Sequence, residues 1–123
     1  MIDKELNLKN YAHIGDSVWE VFIRTYTIYK TSNSKVLHEI TTDRVNATFQ
    51  KDMLFFITPY LTDEELGLVK RARNLSIPVG RKNIQADYRQ ATAFEVLIGY
   101  WYLHNKDRLE YIYKIIKTTG FFN

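Results

Sequence analysis

The chain contains no cysteine, which excludes disulfides and thiolate metal sites and is compatible with a reducing compartment. Proline occurs twice, as Pro59 and Pro78, and both positions mark breaks in otherwise periodic sequence. No block alternates apolar and polar residues as a half-buried strand does, and no internal repeat or low-complexity tract is present. Long uninterrupted apolar runs are missing too. The N-terminus MIDKELNLKNY is charged and lacks an apolar signal region, so no export signal or membrane span is expected and a cytoplasmic location is the default.

What is present suits one globular domain spanning residues 1–123. Apolar residues make up 46% of the chain and charged ones 25%, and nine Tyr, seven Phe and two Trp can fill a small core with large side chains. The net charge is only +3, but its distribution is uneven. Between residues 70 and 90, six basic side chains (Lys70, Arg71, Arg73, Arg81, Lys82 and Arg89) stand against Asp87 alone, leaving eleven basic and thirteen acidic for the rest of the chain. A concentration of this kind favours a polyanionic partner over a merely solvated loop.

Helical periodicity runs through nearly the whole sequence. Tyr11, Ile14, Val18, Phe22 and Tyr26 form one stripe, with Ala12, Trp19 and Ile23 beside it, so this first helix is expected to run through the core. The Thr31–Ser34 cluster breaks it, with Ser34 as N-cap of the next segment. Residues 35–57 read as one kinked helix or two, ended by Pro59. Thr62-Asp-Glu-Glu65 has capping-box form, opening a helix to about Asn74. Residues 75–86 read as a loop, followed by a helix from near Asp87 and a last one carrying Leu109, Ile112, Ile115 and Ile116 toward Gly120 as C-cap. The expected class is all-α.

Two acids stand out within the apolar helices. Glu95 is the only charged residue in the thirteen-residue stretch Ala91–Leu103, and Asp16 lies in Tyr11–Ile23 where an apolar face meets a polar one. Neither has a basic neighbour one helical turn away. A carboxylate so placed loses hydration unless a cation, a proton or a hydrogen-bond donor compensates. Two readings are open for each: a ligand for a divalent metal, or the partner of a distant arginine. Gly15 and Gly99 each stand beside one of these helices' acids at a cost of about 1 kcal/mol relative to Ala, which close approach of two helices would justify.

The letters around these acids carry a resemblance. Ile14-Gly-Asp-Ser-Val-Trp-Glu20 resembles the signature helix of the ribonuclease III catalytic domain, and Phe94-Glu-Val-Leu-Ile-Gly99 resembles that family's second acidic helix. Arg71-Ala-Arg-Asn74, Lys82-Asn83 and Tyr88-Arg89 are similar to the Mini-III branch, short bacterial ribonucleases built from this domain alone. The likeness extends from about Tyr11 to Tyr113. It implies a ribonuclease III-like helical bundle, homodimeric, with Asp16 and Glu95 as catalytic metal ligands for Mg²⁺ or Mn²⁺. The implied reaction is hydrolysis of double-stranded RNA to 5′-phosphate and 3′-hydroxyl ends, with a ribosomal RNA precursor as substrate. The wider family has further acids where this chain has Ala12 and Thr92, replacements that agree with the Mini-III pattern.

The segment from Arg71 to Asn83 is the candidate RNA surface. Arg71, Arg73, Arg81, Lys82 and Arg89 would attract phosphates, while Asn74, Asn83 and Gln85 would bond hydroxyls or base edges. The short stretch after Leu103 is expected to leave no room for a separate duplex-binding domain. Glu20 is open between a third ligand and a structural acid, and His13 between packing and catalysis, with the structural reading preferred for both. His38 and His104 show no ligand spacing. The rival to an enzyme is a catalytically inactive RNA-binding or ribosome-associated protein that keeps the fold, for which Ala12 and Thr92 would be the grounds.

Overall fold

A computed structural model describes residues 5–75 and 85–122 of the chain. Among the described residues there are six α-helices and no strand: α1 (Leu8–Thr27), α2 (Ser34–Val45), α3 (Ala47–Ile57), α4 (Asp63–Arg73), α5 (Gln85–His104) and α6 (Lys106–Ile116). Short 3-10 turns follow α3 at Thr58–Tyr60 and α6 at Gly120–Phe122. None of the described helices is long and apolar enough to cross a membrane.

Asparagine starts most of these helices. The side chains of Asn7, Asn33, Asn46 and Asn105 each accept a hydrogen bond from a backbone N–H of the first turn, satisfying donors that the helix itself cannot. Asn33, not Ser34, therefore caps α2, and Asn46 divides the 35–57 segment into two helices. Thr62 and Glu65 form the expected capping box. At the other end of the chain, α6 stops at Ile116 with Lys117 as its C-cap. Gly120 does not cap it but opens the final 3-10 turn, which tucks Phe122 against Phe22 and Tyr26.

The surrounded helix is α5, which packs against α1, α3, α4 and α6. Its buried residues Ala91, Ala93, Phe94, Val96, Leu97, Ile98, Gly99 and Trp101 cover most of its circumference, and this explains its apolar sequence within the subunit. In contrast, α1 borders the core instead of passing through it. Its buried row is Tyr11, Gly15, Trp19, Ile23 and Thr27, at i, i+4 spacing, with Trp19 edge-on to Phe94 at 4.9 Å between ring centroids. The adjacent apolar row, Ile14, Val18, Val21 and Phe22, borders a groove shared with α6.

Where α1 and α5 cross, their backbones touch. A methyl group on Gly15 would collide with the carbonyl of Glu95, and one on Gly99 with the carbonyl of Tyr11. Both glycines are thus required by contact inside one subunit, since no other residue lacks the Cβ.

One buried ion pair fastens the far side of the bundle. Glu65 accepts from the Nε and Nη2 atoms of Arg108 at 2.9 and 2.7 Å and from Trp101 Nε1 at 2.8 Å. Burial pushes the Glu65 carboxyl up, but Arg108, the Thr62 backbone and Trp101 outweigh it and hold the group below its ordinary value. The N-terminus of α4 is thereby joined to α5 and α6.

Candidate metal centre and RNA-facing surface

The glycine contact sets the distance between the two acids. Asp16 follows Gly15 on α1, and Glu95 supplies the carbonyl that Gly15 abuts. Their side chains border the same cleft, Asp16 exposed and Glu95 half-buried, close enough for Asp16 to act directly on the Glu95 carboxyl. Two carboxylates in contact cannot both ionise without strong repulsion. Burial first, and then the hydrogen bond and charge of Asp16, raise the Glu95 carboxyl from 4.5 to about 8. Gln50 of α3 works in the opposite sense, though its Nε2 makes no hydrogen bond of good geometry.

No arginine or lysine neutralises either acid in any ion pair among the described residues. The alternative of a distant arginine is therefore not what the structure displays. The pair opens into a cleft of about 410 Å³ that also reaches Lys9, His13, Tyr88 and Arg89. Ala12 and Thr92 stand beside the acids in the same cleft, so Asp16 and Glu95 are the only carboxyl groups among the described residues that line it. Among the described residues no group of three or more His, Cys, Asp or Glu is gathered anywhere. A pair of hard oxygen donors opening on a cleft fits a Mg²⁺- or Mn²⁺-sized cation that would keep most of its coordination for water and substrate.

The remaining candidates are dispersed. Glu20 pairs with Arg24 one turn along α1 at 2.6 Å, the structural reading of the two that were open. His13 is exposed in the cleft, not packed in the core. His104 bonds through Nε2 to the Tyr11 hydroxyl at 2.8 Å, closing the end of α5 onto α1. Arg71 is exposed and paired with Glu5 at 2.7 Å, an arrangement worth under about 1 kcal/mol and readily exchanged for a phosphate. Arg73 lies across α4 in a separate depression with Lys51 and Lys70. Asn74 is the exposed C-cap of α4, and Gln85 is the first residue of α5. Arg81, Lys82 and Asn83 lie outside the described residues.

Arg89 is differently employed. Its Nη1 donates to the carbonyls of Arg73 at 2.8 Å and Leu75 at 3.0 Å, pinning the end of α4 to the first turns of α5 on the wall of the cleft. Sequence reasoning missed this contact and also missed Gln50. The only available hint of Gln50 was an amide adjoining the apolar positions Phe49 and Met53.

Comparisons with known proteins show the family to which this fold belongs. The family model described as Ribonuclease III domain matches residues 9–106. A Mini-ribonuclease 3 of Clostridium tetani is 44% identical over 92% of this chain and 78% of its own length. One from Gloeobacter violaceus is 39% identical over 86% of this chain and 78% of its own. Among solved structures, a Fusobacterium nucleatum protein superposes with a TM-score of 0.83 at 30% identity, covering 95% of this chain and 97% of that one.

The shifted carboxyl makes stability depend on pH. Between 4.5 and about 8 the folded protein holds a Glu95 proton that the unfolded chain has released. Unfolding free energy should therefore fall as pH rises through that window and level off above it, by on the order of 2–4 kcal/mol after discounting for partial exposure. Glu95→Gln cannot ionise and should lose this slope, becoming more stable than the parent at pH 8. Urea denaturation in EDTA at pH 5, 7 and 9 measures both proteins, and parallel slopes would contradict the assignment.

Proposed function

Because the chain belongs to the ribonuclease III family, and within it to the Mini-ribonuclease 3 group, we propose that it is a metal-dependent endoribonuclease that cuts double-stranded RNA. The observation that carries this reading is the contact between Asp16 and Glu95 in an open cleft. In the proposed active state both carboxyls are ionised, and Asp16 and Glu95 would together hold the cation. A bound Mg²⁺ or Mn²⁺ would supply Lewis-acid stabilisation of the phosphate oxygens and an acidified water. Ala12 and Thr92 contribute no carboxylate, so two protein acids are the whole charge of the described donor set. Water attack on phosphorus expels the 3′ oxygen, leaving 5′-phosphate and 3′-hydroxyl ends.

The duplex is proposed to lie across the cleft, its phosphates drawn by Arg71, Arg73, Arg81, Lys82 and Arg89. Asn74, Asn83 and Gln85 are the proposed partners for 2′-hydroxyls or base edges along the shallow minor groove. Arg89 reaches this role from a guanidinium already bound to the end of α4, so its proposed contribution is to hold the basic segment as well as to attract phosphate. The natural duplex proposed is a precursor of the large ribosomal RNA, a reading that rests on the Mini-III likeness. Residues 1–123 act as a single ribonuclease III-like domain, in the cytoplasm.

Cutting both strands calls for two sites, and we propose a two-fold homodimer. The apolar surface that favours it lies between α1 and α6, since α5 spends its apolar side chains inside the subunit. A groove of about 640 Å³ there includes Val18, Val21, Phe22, Leu109 and Tyr113, with Val21 64% exposed. An exposed apolar patch of this kind suits an isologous contact.

Incubation with a long RNA duplex should give Mg²⁺-dependent cleavage, with single-stranded RNA and duplex DNA left intact. Asp16→Asn should lower the rate at least a hundredfold while preserving the fold and the affinity for duplex; near-normal turnover would refute the ligand assignment. Replacing Arg81 and Lys82 together by Glu should weaken duplex binding at least tenfold and flatten its dependence on salt, because fewer counterions are released. An unchanged affinity would assign those residues another purpose. Sedimentation equilibrium should give twice the 14.6 kDa chain mass, and a single chain mass at micromolar concentration would contradict the dimer.

A further inference from the structure

Gln50 is the unexplained residue of the core. It lies on α3 among the buried side chains Phe49, Met53 and Leu54, is only 2% exposed, and its Nε2 has no hydrogen-bond partner. A buried N–H without an acceptor carries an uncompensated desolvation cost. Packing alone would be served better at this position by Leu or Met, which have similar volume and no polar atoms. The amide adjoins Glu95, whose helix α5 packs directly on α3. Gln50 is not among the residues that border the cleft Glu95 shares with Asp16.

We propose that Gln50 is a positioning residue for the metal-bearing carboxylate, its Nε2 donating to the Glu95 oxygen that faces away from the cation. The inference rests on the reading of Asp16 and Glu95 as metal ligands. A carboxylate holding a cation through one oxygen leaves the other free to accept a hydrogen bond, and such partners behind a ligand fix its rotamer and orient its lone pairs. With only two protein acids in the described donor set, a wandering Glu95 would forfeit half of the protein's hold on the ion. Asp16 is exposed and has no comparable buried support, so the precision of the site falls on the Glu95 side. The free N–H is in this account a donor kept in readiness for a carboxylate that turns toward a metal.

The test compares the full chain with Gln50→Met, both free of RNA, by Mn²⁺ titration followed through electron paramagnetic resonance. Gln50→Met should bind Mn²⁺ about tenfold more weakly while melting in EDTA at the same temperature as the parent or above it. Equal Mn²⁺ affinity overturns the inference, as does weaker binding matched by a lower melting temperature in EDTA, which would mark Gln50 as structural only. Should Gln50→Met fail to fold, the parent protein answers alone. Added Mg²⁺ should shift the Gln50 side-chain amide resonances of ¹⁵N-labelled protein, and stationary resonances in the Mg²⁺-saturated protein overturn the inference. A parent that binds no Mn²⁺ removes the metal-site reading itself and this inference with it, whereas tight binding indifferent to residue 50 removes the inference alone.

Discussion

Everything at the candidate centre follows from one backbone contact. At Gly15 and Gly99 the helices α1 and α5 approach until each glycine's missing methyl is occupied by a carbonyl of the other helix. Two helices with side chains at those positions would stand farther apart, at the 8–10 Å typical of side-chain packing. Asp16 and Glu95 would then separate and the cleft would hold two unrelated acids. The roughly 1 kcal/mol that each glycine costs its helix is offset by the packing around it, where Trp19, Phe94 and Ile98 fill the adjoining core.

The same contact explains an electrostatic tension. The carboxyl pair is held together by the fold, not by attraction between its members, and in the metal-free protein the conflict is relieved by a proton that Glu95 retains to about pH 8. A divalent cation held by the two carboxylates would relieve it in another way, by supplying compensating positive charge. Stability is sacrificed where these two acids meet, while the opposite end of the bundle is secured by a satisfied pair, Glu65 with Arg108. Two glutamates within one small bundle thus behave oppositely. Glu65 meets a cation that belongs to the protein, whereas Glu95 meets another acid.

Much of this was legible in the sequence, and the failures have physical causes. The helical class, the capping box at Thr62 and the pairing of Asp16 with Glu95 follow from periodicity, a capping pattern and a resemblance spread over most of the chain. Glycine beside each acid was a true sign of close approach. Periodicity could not tell which of the two apolar rows of α1 faces inward, because both are apolar; Gly15, lying within the buried row, was the deciding mark. Gly120 looked like a cap, but α6 ends four residues earlier, at Ile116, before the chain turns to lay Phe122 on Phe22. Contacts between residues distant in sequence carry no local pattern. Arg89 on the carbonyls of Arg73 and Leu75, Arg108 on Glu65, and Gln50 near Glu95 all belong to that kind.

The most direct measurement is anomalous diffraction from crystals soaked in Mn²⁺ and recorded at the manganese edge. The account predicts a peak within coordination distance of both Asp16 and Glu95, on the cleft side of the Gly15–Gly99 crossing. A soaked crystal in which the two carboxyls remain in contact with no peak between them, or in which Glu95 has turned to an arginine, would contradict it.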